Sequence, residues 1–230
     1  MNSIKGMLLG LCLGASCANA EVITQTQNIG EHVPSKSGDL TFGYFDESLG
    51  TLLSVQIVTS VTWWGGYYAL DNDSDVASSG EGRWGMTIKL SDVPGVLSSA
   101  TTKSDYVSDT FSLAKNDGDP TSQFDVGGLD YDRLDGPTYE TRRTIGVTVD
   151  VAENKLDDYF SNVAGNFVIG YNTTQDQSFS GVSGNSMSSS PLSASGYVTI
   201  TYNYTPVPEP ATASLACAGL LMLLRRRRQA

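Results

Sequence analysis

Three aspartates at alternate positions, Asp71, Asp73 and Asp75 in DNDSD (71–75), are spaced to hold a hard cation. Calcium takes about six to eight oxygen ligands, and carboxylates at i, i+2 and i+4 of one tight turn deliver several of them together. The residues that follow depart from a calcium loop. Val76 stands where a glycine makes the sharp bend, and Gly82 stands where a bidentate glutamate closes the shell, with Glu81 one place early. DYDRLDG (130–136), with Asp130, Asp132 and Asp135, is a second acidic turn of the same kind. Each of the two is either a solvated turn or a calcium site, and no other cofactor is implied.

Enzymatic constellations are sparse. The chain has a single histidine, His32, expected in an exposed loop, and its three cysteines are Cys12, Cys17 and Cys217, all in the terminal segments. Ser-His-Asp, Cys-His and histidine-rich metal arrangements therefore lose their central member or hang on that one residue. A glycosidase-type carboxylate pair is set by the fold rather than by spacing, and nothing selects one among so many aspartates. The expectation is a protein without catalytic residues. Trp64, Tyr67 and Tyr68 flank Gly65 and Gly66, and exposed rings there could stack on sugars; the competing reading is that they fill the core.

The elements that must carry these residues read as strands. Charged residues make up only 17% of the chain and glycine is plentiful at 24, a composition that favours turns and strands over surface helices. In SVQIVTSVTWW, Val55, Ile57, Thr59, Val61 and Trp63 share one face, and Gln56, Ser60 and Thr62 the other. The same period recurs at Ile145, Val147, Val149 and Val151, and at Val198, Ile200, Tyr202 and Tyr204. Shorter strands are expected at 22–29, 40–45, 84–90, 106–113 and 167–171. Turn-rich stretches separate them: NDGDP (116–120), LDG (134–136) and a serine-rich loop at 178–196. AENKLDDYF (152–160) allows a turn or two of helix. The fold class that follows is all-β, an antiparallel, jelly-roll-like β-sandwich.

Both ends read as addresses. Residues 1–20 carry Lys5, an apolar run from Gly6 to Ala15, and Ala18 and Ala20 in the A-x-A pattern of a signal-peptidase site. At the other end, residues 206–230 hold Pro208-Glu209-Pro210, fourteen uncharged residues from Ala211 to Leu224, and Arg225, Arg226, Arg227 and Arg228. As a helix the uncharged run would span about 21 Å against roughly 30 Å of hydrocarbon. The arginines would snorkel to headgroups and hold that end in the cytoplasm. Removing both ends leaves 9 basic against 24 acidic residues in 21–205, a net charge of −15. So acidic a body excludes nucleic acid as a partner, since phosphate backbones need clustered lysine and arginine.

The tail resembles the PEP-CTERM sorting signal of Gram-negative bacteria, in which a Pro-Glu-Pro motif, a short apolar helix and a basic stop occur in this order. The resemblance implies recognition by an exosortase-like membrane protease and transient anchoring in the inner membrane. Delivery to the cell surface or extracellular matrix would follow, often alongside exopolysaccharide. An anchor that stays in place is the other reading. FDESLGTLLSVQI (45–57), FDVGGLDYDRLDGPT (124–138) and GYVTITYNYTPVPEP (196–210) are similar to segments of the choice-of-anchor E domain, which implies a secreted β-rich module over 21–205.

Overall fold

The computed structural model describes residues 19–120, 124, 126–161, 165–181 and 185–207 of the 230-residue chain. Strands dominate it: β1 (Glu21–His32), β2 (Lys36–Gly43), β3 (Phe45–Asp46), β4 (Gly50–Trp64), β5 (Tyr67–Asn72), β6 (Ser78–Ser91), β7 (Thr102–Leu113), β8 (Tyr131–Asp135), β9 (Arg143–Asp150), β10 (Phe160–Ser161), β11 (Asn166–Phe179), β12 (Asn185–Ser190) and β13 (Ser193–Pro206). AENKLDDYF forms a short 3-10 helix over Glu153–Tyr159. No helix among the described residues is long and apolar enough to cross a membrane.

Two four-stranded antiparallel sheets carry the core, ordered β1-β13-β4-β9 and β2-β11-β6-β7. Numbering only their eight strands in chain order, the sheets read 1-8-3-6 and 2-7-4-5. The alternation seen in the sequence becomes burial. Val55, Ile57, Val61 and Trp63 of β4 and Val198, Ile200 and Tyr202 of β13 point inward from the first sheet, and Trp84, Met86, Ile88 and Leu90 of β6 from the second. All belong to one continuous apolar cluster, so each sheet buries one face against the other. Branched and aromatic side chains suit this pleated, half-buried surface, which is why these segments are strands at all.

A third, smaller antiparallel sheet, β12-β5-β8, extends the sandwich at one end. Two segments read as turns from the sequence are strands here. DYDRLDG is mostly β8, and the serine-rich 178–196 segment, expected as a loop, contains β12 and the start of β13. β12 has few side chains that favour a strand, and its register with β5 comes from main-chain pairing from Asn185 opposite Asn72 to Ser190 opposite Tyr67. β5 itself escaped the alternation pattern because Tyr68, Ala69, Leu70, Asp71 and Asn72 are all buried, on both of its faces.

The two large sheets are fastened at their edges by a polar clamp. Asp105 on edge strand β7 receives two hydrogen bonds from Arg143 on edge strand β9, Nε to Oδ2 at 2.6 Å and an Nη to Oδ1 at 2.7 Å. The indole Nε1 of buried Trp63 donates to the same Asp105 Oδ2 at 3.1 Å. Arg143 first, and Trp63 with it, hold the Asp105 carboxyl below the usual carboxylate range against the opposing effect of burial. A folded-state pKa below the unfolded value of about 3.9 means that this stabilisation is complete above that value and is lost as pH falls through the lower, folded one. Asp105→Asn should therefore cost about 1–2 kcal/mol at neutral pH and lose this difference from wild type in acid. Melting temperatures measured from pH 2 to 7 check this, and parallel curves for the two proteins would refute it.

Candidate metal centre

Three chain segments meet where the small sheet joins the sandwich: the β5–β6 loop, residues 114–120 after β7, and the residues just before β8. Main-chain bonds bind them together. Asn72 N–H donates to the Asp130 carbonyl at 2.9 Å, Ala114 N–H to Leu129 at 2.8 Å, and Asn116 N–H to Ser74 at 2.9 Å. Asn72, fully buried, sends its side-chain amide to the carbonyls of Val76 and Ala114 and accepts from Ser74 N–H. A buried Asn with its donors and acceptor all engaged pins both loops at once.

Asp117, Asp119 and Asp130 come together on this frame, each offering a carboxylate oxygen within 4.8 Å of the other two. Asp117 is exposed, Asp119 intermediate and Asp130 wholly buried, at 0% exposure. Asp130 Oδ2 accepts from Asp117 N–H at 2.9 Å, while Oδ1 lies out of water with no hydrogen-bond partner among the described residues. Both carboxylate oxygens of Asp119 are also withdrawn from solvent. The loop is shaped by its own side chains: Gly118 N–H donates to Asn116 Oδ1 at 2.6 Å, and Asp119 N–H to Asp117 Oδ1 at 3.3 Å.

Neither aspartate set singled out in the sequence gathers as such. Asp71 is buried at the end of β5, Asp73 is half-buried and Asp75 is exposed, and among the described residues the only carboxylate trio within ligating reach is Asp117, Asp119 and Asp130. Asp130 is the one member that the spacing picked out. Asp132 and Asp135 follow it along a strand instead of around a turn. Asp132 Oδ1 accepts from Arg133 N–H at 2.7 Å, and Asp135 is ion-paired with Arg133 at 2.6 Å. Asp117 and Asp119 were visible only as part of the turn NDGDP, and the residues between them and Asp130 hid the grouping.

The other candidates are spoken for inside the fold. His32 is not an exposed loop residue; it ends β1 with its ring buried, Nδ1 2.8 Å from the Gly30 carbonyl and Nε2 2.8 Å from Thr173 Oγ1. Tyr68 is buried and stacks on Phe179 at 3.9 Å between ring centres. Tyr67 lies under the Arg133 guanidinium at 4.0 Å, and Trp64 meets the edge of Tyr139 at 5.4 Å. The three rings near Gly65 and Gly66 thus each meet a different partner. A broad open groove of about 590 Å³ crosses β2, β11 and β6, lined mainly by Ser37, Asp39, Lys89, Ser91 and Asn172. The sorting residues Pro208, Glu209 and Pro210, the apolar run 211–224, Arg225 to Arg228, and Ala18 of the cleavage pattern lie outside the described residues, while Ala20 is exposed just before β1.

No family model and no curated protein matches the chain. Among solved structures it aligns with capsid structures of infectious bursal disease virus. The Gx strain structure is 14% identical, with 92% of this chain and 47% of that one covered and a TM-score of 0.15. The Gt strain structure is 14% identical over 99% and 55%, at 0.13, and the T=1 particle structure 14% identical over 97% and 52%, at 0.15. The chain spans about half the length of the viral chains it aligns with. Superpositions that poor carry no argument about function.

Proposed function

We propose that this protein is an exported, non-enzymatic jelly-roll module, handed to the cell surface or extracellular matrix by its C-terminal signal, where it acts as a structural or adhesive component beside exopolysaccharide. The 1-8-3-6 and 2-7-4-5 strand orders support the jelly-roll reading. The observation that supports the delivery reading is how close the last described strand comes to the Pro-Glu-Pro motif. β13 runs to Pro206, Val207 N–H donates to the Leu49 carbonyl at 3.0 Å, and the Val207 side chain is exposed. Pro-Glu-Pro begins at the next residue. Proline fixes φ and lacks an N–H, so a Pro-Glu-Pro sequence favours extended backbone and is a poor continuation of a ladder, the kind of segment a protease can grip. Cleavage there would leave every described strand intact.

The test is intact-mass analysis of protein recovered from membrane, surface and medium. Export with processing predicts a body that begins near Glu21 and stops shortly after Val207. Replacing Pro208, Glu209 and Pro210 by alanine should leave an uncleaved species in the membrane fraction. Unchanged release of that variant, or full-length protein in the cytosol with both ends present, would overturn the reading.

A further inference from the structure

We propose that Asp117, Asp119 and Asp130 bind one calcium ion, which clasps the loop after β7 to the small sheet. Three aspartates close together are not a site in themselves, because exposed acidic turns are common. Asp130 makes the difference: it is wholly buried, and one of its two carboxylate oxygens has no hydrogen-bond partner among the described residues. Buried charge in proteins is paired, hydrogen-bonded or bound to metal, so a buried carboxylate oxygen with no donor among the described residues is a candidate cation ligand. The neighbouring ligands are already in place. Oxygens that share one calcium at about 2.3–2.6 Å lie no more than about 5 Å apart, and the trio meets that limit.

Ligand chemistry selects the ion. The group is all carboxylate, with no histidine or cysteine, which favours hard cations over zinc, copper or iron. Magnesium prefers one or two carboxylates and keeps several waters, whereas calcium tolerates a flexible, protein-rich shell. A bound ion would join residues 117–119, which follow β7 of the second large sheet, to Asp130, which precedes β8 of the small one. It would lock the junction that the Asn72 bonds already begin. The proposal holds wherever the chain is delivered, so it stands apart from the sorting reading.

The full chain, stripped with EGTA and returned to calcium at constant ionic strength, provides the test. Calcium at about 10 mM should raise the melting temperature by about 5 °C, saturably, with one ion bound per chain by titration calorimetry. Asp130→Asn and Asp119→Asn should abolish the shift, and so should Asp117→Asn, whose exposed position keeps it foldable if the buried variant is not. A double Asp73→Asn, Asp75→Asn variant should keep it. The proposal falls if the wild type shows no saturable shift, if magnesium or extra sodium chloride reproduces it, if it survives Asp117→Asn and Asp119→Asn, or if the 73/75 variant loses it.

Discussion

Trp84→Ala should lower the stability of the folded body by about 3–5 kcal/mol, the cost of deleting a large aromatic side chain from a core that cannot collapse around the hole. Folded domains have only about 5–15 kcal/mol in total, so the urea midpoint should fall by a large fraction. Trp84 is fully buried on β6, its ring centre 6.0 Å from that of Tyr68, with the backbone of Gly66 against its edge. Its Nε1–H is buried with no hydrogen-bond partner among the described residues, whereas that of equally buried Trp63 donates to Asp105. The two tryptophans should thus answer differently to phenylalanine. Trp84→Phe removes an orphan donor along with some volume, while Trp63→Phe also strips a hydrogen bond from a charged acceptor. Trp63→Phe should be the costlier by about 1 kcal/mol. The opposite order would mean that the clamp at Asp105 adds nothing.

The glycine pair between β4 and β5 should show a second large, asymmetric effect. Gly65 and Gly66 have φ of +75° and +73°, where a side chain is disfavoured. A Cβ at Gly65 would meet open space, but one at Gly66 would lie 2.8 Å from a Trp84 ring carbon and 3.0 Å from the Ser190 carbonyl. Gly65→Ala should therefore cost about 1 kcal/mol from backbone strain alone. Gly66→Ala adds overpacking, for about 2–4 kcal/mol in all. Because the clash is partly with the indole, Gly66→Ala combined with Trp84→Phe should cost less than the sum of the two single changes. Additive losses by denaturant titration would place the strain in the Ser190 contact instead.

What the residues revealed in advance follows from which physical signal each element leaves. β4, β9 and β13 lie with one face on the core, so burial writes itself as alternation, and inward Trp63, Ile145 and Tyr202 are readable directly. β5 is buried on both faces and β12 is made mostly of serine, so neither carries a period-two hydrophobic pattern. β8 is charged because it is short and peripheral, with Arg133 lying over Tyr67 on the adjacent strand. His32 gave no sign of burial, since its partner Thr173 is 141 residues away. The carboxylate trio was hidden although its members lie within 13 residues, because no fixed spacing marks them as a group. Asp130 Oδ2 accepts from Asp117 N–H, and the β5–β8 pairing together with main-chain bonds at Asn72, Ala114 and Asn116 holds both beside the β5–β6 loop.

β13 lies between β1 and β4, pairing with one from Glu21 opposite Tyr204 and with the other from Ser193 opposite Trp64. The keystone of that sheet thus emerges after every neighbour it must join. Until it arrives, β1 has no place in the sheet and β4 has an open margin, so the body stays unfinished through most of its synthesis. The pairing of the first large sheet therefore cannot be completed until β13, the last described strand in chain order, has been made.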